Sequence, residues 1–553
     1  MRTVSDSRAR PAAGTDGDAV ARNTAEVLAR LRVVRAAERD ERRRSLAYTL
    51  YSTALLFAIW GVPLLLAAAR AGADGRLEGP VADRVLSALP TLVPAVLAGA
   101  VLLLAARGGW QGPVLLERAA VTWLVPQPVL RRALLMPRFV VSAVTASSIA
   151  VGVGAVVGFL LHALGAGDWW SMTSAGAVSG GAVGWAGTAL AVLVQRHSES
   201  LLARRSPVVR TARAVVAALW AMAGVSLAHG PWFAEAVVPW SGPWGWAALP
   251  LTSAAGATGA FAAGAGGLLT ALVLVAVGMR AVASVAHVPA RVLRTQAGTA
   301  LRVQASLYSL DLRQARAAVR ATRRRTARHV VRLPFPRRPW LVVPWRDATA
   351  LLRAPGRPAW AVFWAAAAVA LLCLDDVPAP VTLMALPAAY LAAAQLVEPA
   401  RIETDDVRRA AQVPWSAGQL ARLHGLVPAA SLVVLFVLGG ALARWGGWWS
   451  DGLLLLPVTV PALVGAALVS AYRGAVPAHL MIGSLTPLGD TGPLAALLWQ
   501  VRGPLVALVC LAAVDGPARG AAPDAVGLLW PPVVGAAMTW WVGVTARKTV
   551  RQW

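Results

Sequence analysis

The sequence predicts an all-α polytopic membrane protein, with about twelve transmembrane helices arranged as two parallel six-helix repeats. Three observations carry that expectation. Of the 553 residues, 57% are hydrophobic and 14% charged, with a mean hydropathy of +0.60; a soluble chain carries about 25% charged residues. The charge is confined to stretches between apolar runs of about 20 residues, the length that crosses a hydrocarbon core. The basic residues crowd every second loop, as membrane orientation requires. The net charge of +26 therefore reads as topology and not as a nucleic-acid surface, because no single soluble segment gathers it. Nearly all of it is arginine, with Lys548 the one lysine, a bias that goes with a GC-rich genome.

Residues 1–46 are polar and rich in arginine. No short apolar core with a cleavage site follows the first charges, so this stretch reads as a cytoplasmic tail and not a signal peptide. From Asp18 a helical pattern sets in. Val20, Thr24, Val27, Leu31 and Val34 share a face, and Arg22, Arg30, Arg32 and Arg35 fall largely elsewhere. A basic amphipathic helix ahead of a span is expected in the membrane interface.

The first membrane half is expected over 47–279, with spans at 47–69, 85–106, 136–161, 169–194, 208–228 and 256–277. A basic cytoplasmic linker takes 280–356 and holds Arg323, Arg324, Arg325, Arg337 and Arg338. The second half is expected over 357–546, with spans at 359–374, 377–396, 420–443, 453–472, 494–514 and 526–544. Residues 547–553 form a basic tail. Loops after even-numbered spans carry Arg107, Arg118, Arg131 and Arg132, then Arg196, Arg204 and Arg205, then the linker, then Arg401, Arg408 and Arg409. Loops after odd-numbered spans are neutral or acidic, as at Asp168 and at Asp375 and Asp376. This alternation puts both termini in the cytoplasm.

The halves echo one another. Trp169-Trp170-Ser171 opens the fourth span and Trp448-Trp449-Ser450 the tenth. Val125-Pro126 precedes the third span and Val413-Pro414 the ninth. Arg213 begins the fifth and Arg502 sits in the eleventh. Equal order and similar spacing suit a parallel repeat with an even number of spans. The two Val-Pro loops are the stretches through which the cytoplasm would push on the spans. Pro128 suits a first helical turn and Ser416 an N-cap.

Chemistry-bearing residues are scarce. The spans hold no central Asp, Glu or Lys. His424, at the cytoplasmic start of the ninth span, and His162, at the outer end of the third, are expected at the interface. Arg213 and Arg502 are expected near cytoplasmic ends, from which they snorkel. Cys373 and Cys510 lie in apolar spans and read as inert thiols, with no disulfide and no metal site. Gly176, Gly180 and Gly184 recur every fourth residue, which permits close helix packing. The outer stretch 231–250, with Trp232, Trp240, Trp244 and Trp246, reads as short re-entrant or amphipathic pieces. Asp375 and Asp376 read as an acidic outer turn, with paired acids of a lipid-linked glycosyltransferase as the alternative. A Walker A motif is missing: Lys548 follows Arg547, not glycine. Any ATP chemistry would need a separate subunit.

In layout the chain resembles the permease subunits of ABC-2-type exporters, and also multi-pass membrane proteins of actinobacteria. Residues 18–45 resemble that family's connecting helix. Residues 110–135, with Glu117, Arg118, Pro126, Arg131 and Arg132, resemble its coupling loop, and 231–250 its outer re-entrant piece. Residues 344–355 resemble a second connecting helix. Residues 399–419, with Glu403, Asp405, Asp406, Arg408, Arg409 and Pro414, resemble a second coupling loop. The resemblance implies a transport subunit without enzymatic activity in the cytoplasmic membrane. It holds no cofactor or metal itself. It is driven by an ABC ATPase, in two copies, that carries ATP and Mg. Two departures stand out: both halves are fused in one chain, and the outer loop before the last span is short. A secondary transporter of major-facilitator layout is the runner-up, disfavoured by the missing intramembrane charges. The apolar spans lean towards a hydrophobic or amphipathic substrate.

Overall fold

Apolar runs of this length leave the backbone one way to satisfy its own hydrogen bonds in lipid, which is to coil into helices. The structure, a computed structural model, describes residues 13–37, 39–75, 80–201, 206–308, 334–373, 383–404, 414–474, 476–477, 480, 485–486, 489–490, 492–515 and 525–551. Among them the one β-structure is a two-residue antiparallel ladder, Leu485–Thr486 against Gly489–Asp490. All else regular is helical, and the chain forms a polytopic helical membrane protein. It divides into two compact units, residues 1–302 and 303–553.

Among the described residues, eight helices are long and apolar enough to cross a membrane: Leu89–Arg107, Arg131–Ala163, Trp169–Arg196, Pro207–Leu227, Ala260–Val285, Ala417–Trp445, Asp451–Tyr472 and Gly527–Lys548. The four other expected spans coincide with shorter apolar stretches, Leu50–Ile59, Gly356–Leu372, Ala385–Leu396 and Leu497–Ala512. Two of these have a visible cause. The first is broken by a π-turn at Phe57–Gly61, with Pro63 opening the next helix; a π-turn inserts a residue and the proline removes a donor. The apolar stretch Leu497–Ala512 is interrupted by Gln500 and Arg502, and Pro504 lies inside that helix. The second and third flank 374–382, which lies outside the described residues.

In the first unit, the helices Arg131–Ala163 and Trp169–Arg196 pack antiparallel along a seam of glycines. A Cβ on Gly180 would lie 2.1 Å from the Ala150 carbonyl oxygen, and one on Gly176 would lie 2.3 Å from that of Gly154. Gly184 meets Ser147 in the same way. The backbones touch because no side chain separates them, the geometry that small residues permit. The far face of Arg131–Ala163 is bare: Val141, Ile149 and Val153 are exposed by 60–65%. Continuous bare apolar faces of this kind belong in lipid.

The stretch after Gly230 forms short helical pieces, Ala234–Val237, Val238–Trp240, Pro243–Trp246 and Leu249–Ala254. Ala248 and Leu249 are fully buried, and Ser179 donates to the Ala247 carbonyl at 2.7 Å. This stretch is thus packed between span helices and does not simply rest on the surface.

In the second unit, Leu455–Tyr472 is the central helix. Leu463, Ala466, Ala467 and Val469 lie on different faces and all are buried. A helix apolar on every side is a core helix. Its small residues set the spacing: a Cβ on Gly465 would meet Met538 at 2.6 Å, and one on Gly503 would meet the Ala466 carbonyl at 2.9 Å.

Candidate functional site

The first Val-Pro loop has a buried underside and an open top. Glu117 occupies the N-cap position of a short helix, Arg118–Trp123, and pairs with Arg138 at 3.6 Å. Val114, Leu116, Val121 and Val125 are buried against Leu134, Leu135, Phe139, Val285 and Leu293. The loop is therefore seated on the ends of Arg131–Ala163 and Ala260–Val285 by direct hydrophobic contact. Arg118, Pro126, Arg131 and Arg132 are exposed, and Trp123 is 72% exposed. Pro128 does not open a helix. It lies in a bend, and the helix starts at Arg131 after Leu130. Arg131 and Arg132 thus sit in a first helical turn that has no acidic residue. Cations at that end of a helix dipole cost about 0.3–1 kcal/mol each, so helix stability does not explain them.

Two glutamines lock this loop. Gln195 Nε2 donates to the Val114 carbonyl at 3.2 Å and to Gln296 Oε1 at 2.7 Å. Gln296 Nε2 donates to the Gly108 carbonyl at 2.9 Å. Both side chains are buried. A Cβ on Gly108 would lie 2.2 Å from the Ala191 carbonyl oxygen, so the loop can leave its span only through a residue without a side chain. The N-terminal helix Ala13–Ala37 joins at the other end. Leu130 N–H donates to Thr24 Oγ1 at 3.0 Å, and Thr24 is buried.

The second unit holds a tie of its own, made with charged side chains. Asp347, on the helix Val342–Arg353, meets His424 of Ala417–Trp445, with Oδ2 2.6 Å from Nδ1. Their side chains are 3% and 0% exposed. Arg346 Nη2 lies 2.6 Å from Glu403 Oε2 and 3.5 Å from His424 Nε2. An imidazole protonated at Nδ1 and bare at Nε2 satisfies both neighbours, donating to the carboxylate and accepting from the guanidinium. Among the described residues, Asp347 Oδ1 and Glu403 Oε1 are buried without a hydrogen-bond partner. Thr404 donates to the Ala471 carbonyl at 3.3 Å, fixing the same segment to the central helix. Ser416 caps the helix Ala417–Trp445 through a reciprocal box with Gln419, and Pro414 is an exposed bend before it.

His424 is thus buried in a polar cluster, and not at the interface, because Asp347 and Arg346 supply partners that an alternation of charges does not reveal. Glu403 turns inward as a strut. Asp405, Asp406, Arg408 and Arg409 lie outside the described residues, as do Asp375, Asp376, Arg204, Arg205 and Arg323 to Arg325.

Residues 82–473 match a protein family of unknown function, DUF6297. The chain belongs to that family. No curated protein matches it. The family match takes in both Val-Pro loops, the glutamine lock and the Asp347–His424 cluster. Arg502 lies beyond it. This arginine sits inside the helix Gly492–Asp515, and its guanidinium stacks on Trp499 at 3.6 Å with Trp541 at 5.9 Å. It is half-buried, held by aromatic faces, and its Nε has no hydrogen-bond partner among the described residues. The sequence placed it at a helix end, free to snorkel; the aromatic pair holds it within the bundle instead. Gln195 and Gln296 gave no sequence signal, since a glutamine near a span end reads as an interfacial polar residue.

Proposed function

We propose that the chain is the membrane-spanning permease of an ABC-type exporter, with twelve spans in two parallel six-helix repeats and both termini in the cytoplasm. It moves a hydrophobic or amphipathic substrate across the cytoplasmic membrane. A separate ATPase, present in two copies and holding ATP and Mg, drives it. The observation that carries this reading is the first Val-Pro loop. Its underside is fused to the ends of span helices, and Trp123, Pro126, Arg131 and Arg132 stand exposed on top. A partner that holds those residues differently in two nucleotide states moves the spans with them, which is the differential contact coupling requires. The tie of Thr24 to Leu130 in one unit and of Asp347 to His424 in the other supports the repeat. A photoreactive residue at Trp123 tests the reading in intact cells. The expected adduct is a P-loop ATPase. An adduct series containing lipid and no ATPase, from cells where the protein is folded, overturns it.

The buried Asp347–His424 pair and Arg502 favour one second reading, a proton-coupled secondary transporter, because ionisable groups packed inside helical bundles mark proton pathways. Transport that survives ATPase deletion and collapses with the proton gradient would select it.

A further inference from the structure

Beside the first Val-Pro loop, the helix Arg118–Trp123 and the amphipathic helix Ala290–Tyr308 enclose a groove of about 380 Å³. Arg118, Arg294 and Arg302 line it, together with Val121, Thr122 and Leu301. All three arginines are exposed, and among the described residues no carboxylate lines the groove. Arg302 Nε donates to the Gly298 carbonyl at 3.1 Å, and an anion placed in the space is attracted by all three guanidiniums that border it. The volume falls in the range of a small-molecule site, about 300–1,000 Å³.

The level of the groove decides what the anion belongs to. Its two walls directly adjoin the ends of two candidate spans, Arg131–Ala163 and Ala260–Val285. The arginine-rich ends of spans lie on the cytoplasmic side. Leu301, which lines the groove with Val121 and Ala297, is 46% exposed. Arginines that border a space lined on one side by aliphatic residues fit an amphiphile, with its phosphate among the guanidiniums and its chains against Val121 and Leu301. Basic pockets on the cytoplasmic side of span bundles take anionic phospholipid headgroups.

We propose that this groove binds the phosphate headgroup of an anionic phospholipid from the cytoplasmic leaflet. The site does not depend on the exporter reading, because Arg294 and Arg302 lie outside the Val-Pro loop. A bound lipid spans the loop helix and the helix after the sixth span, so it stiffens the seat of the loop.

The test uses the full chain purified in mild detergent and titrated with short-chain phosphatidylglycerol, phosphatidylcholine or inorganic phosphate, read by binding and by thermal shift. Phosphatidylglycerol is expected to bind and stabilise, and phosphatidylcholine to do neither. Arg294→Gln with Arg302→Gln is expected to weaken phosphatidylglycerol binding about 25-fold, about fivefold per arginine. Arg294→Lys with Arg302→Lys keeps most of the binding and shows that the fold tolerates change there. Arg210→Gln with Arg213→Gln, which removes two arginines from another span end, leaves binding unchanged. Equal losses in that control reduce the effect to net charge and overturn the site. A shift produced equally by inorganic phosphate overturns the lipid as its occupant. A photoreactive residue at Thr122 is expected to capture phospholipid, and capture of a protein in its place also overturns the proposal.

Discussion

Replacing Asp347 with alanine removes the acceptor that holds His424. Both side chains are almost fully buried, and the contact is 2.6 Å. The imidazole Nδ1 then has no partner, and Arg346 keeps only Glu403 of its two carboxylate neighbours. A buried hydrogen bond to a charged group is worth about 1.5–3 kcal/mol, and the lower end is expected here because Arg346 is 42% exposed and water can reach the site. His424→Leu removes the other half and is expected to cost about 2–3 kcal/mol, the worth of a hydrogen bond to a charged group. If the two act through each other, the double variant costs clearly less than the sum. A coupling energy of about 2 kcal/mol is expected. SDS-titration unfolding of the full chain in mild detergent, followed by tryptophan fluorescence, gives all four corners of the cycle. A coupling below about 0.5 kcal/mol, the scatter between independent sites, would refute the view that this pair bolts the helix Val342–Arg353 to Ala417–Trp445.

Other perturbations bear on separate parts of the fold. Gly180→Leu is expected to abolish the monodisperse folded peak in size-exclusion chromatography, since even its Cβ would overlap the Ala150 carbonyl. Gly152→Ala on the same helix pair, with open space around it, is expected to leave the peak unchanged. Gln296→Leu deprives the Gly108 carbonyl and Gln195 of their partner and is expected to cost about 1–3 kcal/mol, with faster proteolysis at residues 108–117. Burial raises the Glu235 carboxyl above its ordinary value, against a smaller lowering by Ser226. Its protonated form is the one the fold favours, so stability is present below the unfolded value and is lost as pH rises through the folded one. Glu235→Gln is therefore expected to match the parent in thermal unfolding near pH 4 and to exceed it near pH 8. Equal profiles at both values would contradict the burial of that carboxyl.

The helical membrane class was legible because it rests on length and polarity alone. Apolar runs of about 20 residues and alternate arginine loops need no tertiary contact to be read. The glycine spacing at 176, 180 and 184 was legible for the same reason: a period of four lies on one helix face. The first expected span was not legible in its interior, because a π-turn at Phe57–Gly61 leaves no compositional trace. The tie between Asp347 and His424 was hidden as well. The two residues are far apart in sequence, and each in isolation reads as an ordinary polar residue near a helix end. Glu403 pointed to the right segment but to the opposite face: its charge suggested a surface contact, and the fold turns it towards Arg346. The glutamine lock was invisible because its meaning lies in the carbonyls of Gly108 and Val114, which every residue has.

The most direct measurement of the central claim is purification of the tagged chain from its native membrane in mild detergent, with mass spectrometry of the proteins that stay bound. The comparison is a variant carrying Glu117→Ala, Arg118→Ala, Asp405→Ala and Arg408→Ala. The account predicts a stoichiometric P-loop ATPase with the parent chain and its loss from the variant, while the variant remains folded by size-exclusion chromatography. Absence of any ATPase from the parent, under conditions that keep a known transporter complex intact, would contradict it.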